Sequence, residues 1–509
     1  MLIPHISNNK KIALAIVNIF FSIVYASYIY TEWGYDFGDY YATAMHIFNN
    51  DFKLYSEAFQ SKGPIYFIFI GLISTIIGWG YQQAHIVLSI TISFYVYSSW
   101  KLTNLVNSKL IHKLFLVFVF TIPLVSLDSN SSIALFSVSL TNLGCYYLFS
   151  FLDKLSISSF SKNNILIFNK SIFIFFIAFF TRIDTVIYLL PAFLVYILPI
   201  FYKKLPINFL IKNFLAMIIF LSLVACLVFF YMKININDFL YLNFSFNSWY
   251  RDYLQDILMG DSAALLYRPN ILIFLFKTIL FPLFVLIFIY VLFFDKQTLN
   301  LSTERHKFYL SIIIFVCAIF VLLYSRSDKG YHALITLTPM ILFCSLFFKY
   351  LRAFIEKLNK NIGYALFIFV IIINIYAIYP GLMNIKSNIS VGFEQPQQFK
   401  EANEFIDKFK IRYIVGNNGW ISVFAKNFEK KPINSINNAH FYRWDNYFNH
   451  EYIRLSHSRL IKDNKEFFLV HKKLADNQIN GKNPNFKELI NTSSIITSGK
   501  YFDVYVITN

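Results

Sequence analysis

Apolar runs recur along this chain at 12–30, 83–100, 114–127, 132–152, 165–181, 184–202, 213–231, 270–294, 308–324, 331–349 and 363–380. Few solvents other than a bilayer accommodate so many. In hydrocarbon every backbone N–H and C=O must be satisfied within the chain, so runs of this kind fold as membrane-spanning helices. The expected fold class is an α-helical polytopic membrane protein of about eleven spans. Composition agrees, with 57% of the 509 residues hydrophobic and 14% charged.

The formal charge of +17 would suit a nucleic-acid partner, but the basic residues sit in short loops between apolar runs. There they report orientation, and nucleic-acid binding is discarded. Cys145, Cys226, Cys317 and Cys344 all fall inside apolar runs without metal-ligand spacing, which indicates neither a disulfide framework nor a zinc site. Phe, Tyr, Ile, Asn and Lys are abundant throughout, which weakens any argument from a single aromatic residue.

Lys10 and Lys11 precede the first run, which reads as an uncleaved span entering from the cytoplasm. The stretch 65–80 decides the rest of the topology. It is short and follows Gly63-Pro64, as an interfacial or re-entrant helix would. If it does not span, Lys101, Lys109, Lys113, Lys154, Lys162, Lys203, Lys204, Lys212, Lys296, Arg305, Lys307, Lys349, Arg352, Lys357 and Lys360 all fall on the cytoplasmic side. The N-terminus is then inside and the C-terminus outside. The least regular span is 165–181, which Asn169 and Lys170 interrupt.

Three outward features follow from this topology. In the first outer loop, 31–82, Asp36, Asp39, Glu57 and Lys62 gather beside one membrane face, and ionisable groups at a membrane boundary mark functional sites. Tyr41, Ala44, Met45 and Phe48 form an amphipathic stripe suited to the membrane surface, with Asp39 placed to cap that helix. The second feature, 231–270, carries Asn247, Tyr250 and Arg251 as candidate sugar or acceptor contacts. The third is the polar tail. The expected division is a transmembrane domain over 1–383 and a small α/β extracytoplasmic domain over 384–509. Phe399, Ala402, Phe405, Ile406 and Phe409 make a helical stripe, 411–415, 466–470 and 501–507 read as strands, and 417–420 as a turn. No nucleotide-binding glycine fingerprint occurs in it.

The acidic stretch Asp36-Phe37-Gly38-Asp39-Tyr40-Tyr41 and the later Leu54-Tyr55 and Lys62-Gly63-Pro64 resemble the first outer loop of type C (GT-C) glycosyltransferases. The pattern is most similar to the protein O-mannosyltransferase-like and lipid A aminoarabinose transferase-like enzymes of bacteria. Thr181-Arg182-Ile183-Asp184-Thr185 and Ser327-Asp328-Lys329-Gly330-Tyr331-His332 match, more loosely, span ends that flank the lipid-phosphate cavity of such enzymes.

The resemblance implies a bacterial inner-membrane enzyme that moves a sugar from undecaprenyl phosphate to an envelope glycan, lipid or protein on the periplasmic side, with inversion. Its partners would be the polyprenyl-phosphate-linked sugar, the acceptor and surrounding membrane lipids. A carboxylate must take the acceptor hydroxyl's proton, with Asp36 the first choice and Asp39 the second. Asp128 is the nearest candidate for a second acid. Cations must meet the leaving phosphate, and Lys62, Arg182, Arg326 and Lys329 lie at the outer boundary, with His332 as an added donor. The competing role for each cation is ordinary snorkelling to the interface. Lys277, inside an apolar run, is left without a role. No cofactor is expected, and no metal, because no second acidic cluster accompanies the first and the monosaccharide transferases resembled generally use none; the alternative is a divalent cation held by several carboxylates, as in the oligosaccharyltransferases of the same fold class. The rival functions are a polysaccharide flippase and a lipid-diphosphate-linked glycan polymerase or ligase; the first would show repeats and broken helices, which are not evident.

Overall fold

The computed structural model describes residues 35–50, 53–55, 62–105, 110–121, 132–155, 161, 164–201, 204–245, 284–285, 287–289, 302–325, 334–357, 397–398, 400–411, 413–415, 467–472 and 490–507. The expected spans at 12–30 and 363–380, most of that at 270–294, and the turn at 417–420 lie outside them. The chain divides into two compact units. One comprises Met1–Tyr28, Ser89–Val228 and Asn243–Ile385, the other Ile29–Leu88, Phe229–Leu242 and Lys386–Asn509.

The described part is mostly helical: α1 (Tyr35–Asn50), α2 (Pro64–Ile77), α3 (Tyr81–Thr103), α4 (Leu110–Thr121), α5 (Ser132–Leu155), α6 (Ile165–Phe179), α7 (Leu189–Phe201), α8 (Ile207–Tyr231), a short α9 (Ile236–Leu240), α10 (Ser302–Ser325) and α11 (Leu337–Lys357). A 3-10 helix, Ile183–Tyr188, leads into α7. Among the described residues four helical stretches are long and apolar enough to cross a membrane: Ser132–Leu155, Ile183–Ile200, Ile207–Tyr231 and Arg305–Leu322. This is a membrane protein.

In the first unit α5 is the hub. Its buried residues run from Ser132 to Leu155 and lie on every side of the helix. Burial all round normally means a fully apolar helix, yet Ser137, Ser139, Thr141 and Asn142 are all buried here. Ser139 donates back to the Leu135 carbonyl within the helix at 2.7 Å, while other polar groups reach neighbouring helices. Asn142 Nδ2 donates to Ser98 Oγ at 3.3 Å and Ser99 Oγ at 3.4 Å on α3. Thr141 and Thr338 share a 2.7 Å hydroxyl contact that joins α5 to α11. Ser171 on α6 donates to the Gly144 carbonyl at 2.7 Å. Such bonds average about 0.6 kcal/mol each between membrane helices, so their value lies in number and in fixing register.

Gly144 also lets α6 approach closely. A Cβ there would lie 2.4 Å from the Phe175 ring, and that ring is buried and stacked on Tyr188 at 5.7 Å. At one end of the helices Lys307, almost buried, pairs with Asp153, bringing the C-terminal turn of α5 to the N-terminal turn of α10. The residues that interrupt the run at 165–181 are satisfied by neighbours. Asn169 and Asn213 exchange side-chain hydrogen bonds at 3.1 Å each, Asn213 donates to Tyr196 as well, and Lys170 lies over the Tyr147 ring.

In the second unit α2 starts where the sequence requires it. Gly63 is extended, and Pro64 occupies the first turn, where its missing N–H costs nothing. The helix has 14 residues and rises about 21 Å, less than the about 30 Å of a hydrocarbon core. Two expectations for α1 are corrected. The helix begins at Tyr35, so Asp39 sits inside it and is not a cap. The cause is that the apolar stripe extends a turn upstream: Phe37, Tyr40, Tyr41, Ala44 and Ile47 are buried. Nor is that stripe laid on a membrane surface. It packs on α2, with Tyr40 edge-on to Tyr66 and Phe67, and with Phe48 against Gly71.

The tail forms a four-stranded sheet in the order β1-β2-β4-β3, from Tyr413–Val415, Phe467–His471, Phe502–Ile507 and Ser493–Ser498. The β1-β2 pair is parallel and the others are antiparallel. Residues 400–409 are helical, with Ala402 and Ile406 buried. From this helix the Glu401 carboxylate accepts three backbone N–H bonds, from Lys500 at 3.0 Å, Tyr501 at 2.8 Å and Phe502 at 2.9 Å, and so holds the β3-β4 turn.

Two outcomes are expected. Gly144→Ala will lower the thermal unfolding temperature of the purified protein, by about 1–3 kcal/mol of stability, because Phe175 has nowhere to move. Glu401→Ala will speed amide hydrogen exchange at Lys500, Tyr501 and Phe502 while leaving α5 protected, at a cost of about 1–3 kcal/mol.

Candidate active-site segments

The expected catalytic and binding residues fall in segments of both units, and each unit has its own geometry. In the second unit Asp36 and Asp39 occupy the second and fifth positions of α1, three residues apart in one helix. Their helix is held to the α2-α3 turn by Tyr41. The Gly80 N–H donates to its hydroxyl at 3.2 Å, the hydroxyl lies 3.4 Å from the Gly80 carbonyl, and Trp79 packs edge-on against the ring. Burial raises the Tyr41 phenol above its ordinary value, against the lowering influence of the hydrogen bond to Gly80. It therefore stays protonated at physiological pH and acts as a fixed strut.

Lys62 ends the loop that leads into α2. Its backbone carbonyl accepts a hydrogen bond from the Tyr55 hydroxyl at 2.7 Å. Tyr55 is fully buried, with its ring edge-on to Phe239 at 5.6 Å and with φ at +75°. A bulky residue in the left-handed region is strained by about 1–3 kcal/mol and persists only where its surroundings over-determine it.

In the first unit Arg182 precedes the 3-10 helix in extended conformation. Its Nε donates to Asp184 Oδ1 at 3.2 Å and its Nη2 pairs with Oδ2, a two-point grip that orients the guanidinium plane. Of its five N–H donors this grip uses two, so the remainder of the fork can address an anion. A few residues on, the Tyr188 hydroxyl donates to the Ile335 carbonyl at 2.8 Å. That bond ties the Arg182 segment to the start of α11, the stretch directly after His332.

Arg326, Lys329 and His332 lie outside the described residues, as do Asp128, Asn247, Tyr250, Arg251 and Lys277. Sequence reasoning missed Tyr55 and Asp184 as partners of Lys62 and Arg182, and Tyr188 as the tie from the Arg182 segment to Ile335. Asp184 had a signal, since it stands two residues from Arg182. Tyr55 stood in the Leu54-Tyr55 motif, but its bond to Lys62 depends on an unusual backbone angle that sequence does not show.

The fold is similar to that of solved structures of the type C (GT-C) class. The solved structures that show it include ArnT from Cupriavidus metallidurans bound to undecaprenyl phosphate, with a TM-score of 0.56 and 9% identity over 97% of each chain. The apo state of ArnT gives 0.56 and 10% over the same shares. The apo oligosaccharyltransferase of Archaeoglobus fulgidus gives 0.54 and 12%, over 98% of this chain and 74% of that one. No protein-family model matches the chain, and no curated protein matches its sequence.

Asp184→Ala is expected to lower stability by about 1–2 kcal/mol, because a largely buried guanidinium loses its counter-charge. Adding Arg182→Ala should recover part of that loss. Thermal unfolding of the two single variants and the double variant checks the coupling.

Proposed function

We propose that this chain is a membrane glycosyltransferase that transfers a sugar from a polyprenyl phosphate, undecaprenyl phosphate in a bacterial envelope, to a glycan, lipid or protein acceptor on the periplasmic face. The observation that carries this reading is the fold shared with ArnT over 97% of both chains, in a structure where ArnT holds undecaprenyl phosphate. The proposed arrangement has about eleven spans, a cytoplasmic N-terminus and a periplasmic α/β domain over 384–509. The Asp153 to Lys307 pair supports it, since it joins two helix ends that the loop charges assign to one membrane side.

In the proposed step the acceptor hydroxyl oxygen attacks the anomeric carbon from the face opposite the phosphate. The bond between that carbon and the phosphate oxygen breaks, the configuration inverts, and the lipid phosphate leaves with the bonding pair. The hydroxyl proton passes to the Asp36 carboxylate, with Asp39 as the alternative base. Charge grows on the departing phosphate, and Lys62, Arg182, Arg326, Lys329 and His332 form the cationic set assigned to it. Arg182 suits that task because Asp184 already orients it, which removes a reorganisation cost at the moment of reaction. Asn247, Tyr250 and Arg251 are assigned to the sugar or acceptor, and Asp128 to a second acid.

The test compares envelope glycans, by mass spectrometry, between a strain lacking the gene and strains complemented with the native chain or Asp36→Asn at matched membrane levels. A sugar-sized mass lost on deletion and restored only by the native chain is the expected result. Full restoration by Asp36→Asn would remove Asp36 as the base and bring Asp39→Asn forward. An unchanged glycan profile on deletion, under conditions in which the native strain expresses the gene, would overturn the transferase reading.

A further inference from the structure

We propose that Tyr55 is a positioning residue that fixes where Lys62 stands before the phosphate of the lipid donor. The inference rests on the assignment of Lys62 to that phosphate and names the part of the loop that sets its place. Lys62 is located from two directions. On its C-terminal side the chain passes through extended Gly63 into Pro64 at the start of α2, whose rigid φ and buried first turn fix the exit. On its own carbonyl, the Tyr55 hydroxyl closes the loop at 2.7 Å.

Tyr55 is in turn immobilised. Its ring is fully buried beside Leu54, also fully buried, and lies edge-on to Phe239, which packs on Phe229 at 5.1 Å. Its φ of +75° is a conformation that a tyrosine adopts only against steric resistance. A simple loop staple needs no such strain, since Asn or Gly would take that backbone conformation more readily. A tyrosine retained there answers a requirement for a long, rigid side chain that reaches the Lys62 carbonyl. A lysine ammonium on a flexible four-carbon stem is a poor electrostatic device unless its root is fixed, because each added degree of freedom dilutes the charge at the phosphate.

The hydrogen bond is made to a backbone carbonyl, so it survives replacement of the lysine side chain. This separates positioning from stabilisation. The full-length protein in nanodiscs is titrated with undecaprenyl phosphate, with undecaprenol as the arm that lacks phosphate and inorganic phosphate as the arm that lacks lipid. Lys62→Gln should weaken undecaprenyl phosphate binding about tenfold, and Tyr55→Phe about five- to tenfold. In the Lys62→Gln background Tyr55→Phe should change binding by less than about twofold, while its effect on unfolding temperature stays the same in both backgrounds. Undecaprenol binding should not respond to any of these changes. Phe239→Leu, which loosens the Tyr55 ring and keeps its hydroxyl, should give a smaller loss with the same dependence on Lys62, and serves if Tyr55→Phe does not fold.

An equal loss in both backgrounds, or no loss with Tyr55→Phe while Lys62→Gln weakens binding, overturns the positioning role alone. Unchanged binding in Lys62→Gln, or a loss seen equally with undecaprenol, removes Lys62 from the phosphate site and the inference with it. Inorganic phosphate that binds as tightly as the lipid, with the same response to both variants, would identify a free-anion site and overturn the lipid-donor assignment.

Discussion

Hydrocarbon gives helices almost no reason to prefer one another over lipid. An apolar side chain loses little by facing an acyl chain in place of a neighbouring helix, so close packing and interhelical hydrogen bonds must hold the assembly. The first unit meets this constraint through α5. One glycine lets α6 approach, one amide reaches two serines of α3, and one threonine meets its counterpart on α11. The 3-10 helix that carries Arg182 into α7 depends on the same hub, because its Tyr188 stacks on the Phe175 ring that lies against Gly144.

The second unit works by a different logic. Its α1-α2 pair buries aromatic rings edge to face, and its strained residue lies in the loop between them. Rings are stiff, and a loop anchored on rings keeps its shape without the many hydrogen bonds that α5 requires. The two acidic residues of α1 belong to a helix that Tyr41 fastens to Gly80. In the tail a single carboxylate performs the equivalent task by gathering three successive N–H groups of a turn.

Much of this was legible in the sequence, for identifiable reasons. Membrane helices announce themselves by length and hydropathy, so the runs around Ser132, Ile207 and Arg305 are helices as expected. The short stretch after Lys62-Gly63 is a helix that starts at Pro64, as its proline implied. The apparent defect at Asn169 and Lys170 was misleading, because periodicity cannot show that an asparagine has a partner 44 residues away. The start of α1 was misplaced since Asp39 has the chemistry of a cap, and only burial of Phe37 upstream reveals that the helix has already begun. Strand β3 went unread because Ser493–Ser498 is mostly polar and exposed, and pairing with β4 is what makes it a strand. Within the candidate site the charged residues could be named from sequence, whereas the groups that hold them are set by tertiary contacts.

Helix α8 has one further implication. Among the described residues only Leu210 and Met217 on it are buried, and Ile219, Leu223, Leu227 and Phe230 are widely exposed. Its attachment near one end is the Asn169, Asn213 and Tyr196 clasp. A helix this greasy partitions into lipid without help from its neighbours, so during biogenesis it is free to enter the bilayer before it docks. The clasp then acts as a vernier. Sliding α8 by one turn would strip partners from two part-buried amides near the membrane boundary, so its depth and rotation are set by a pair of asparagines that hydropathy alone would count as flaws.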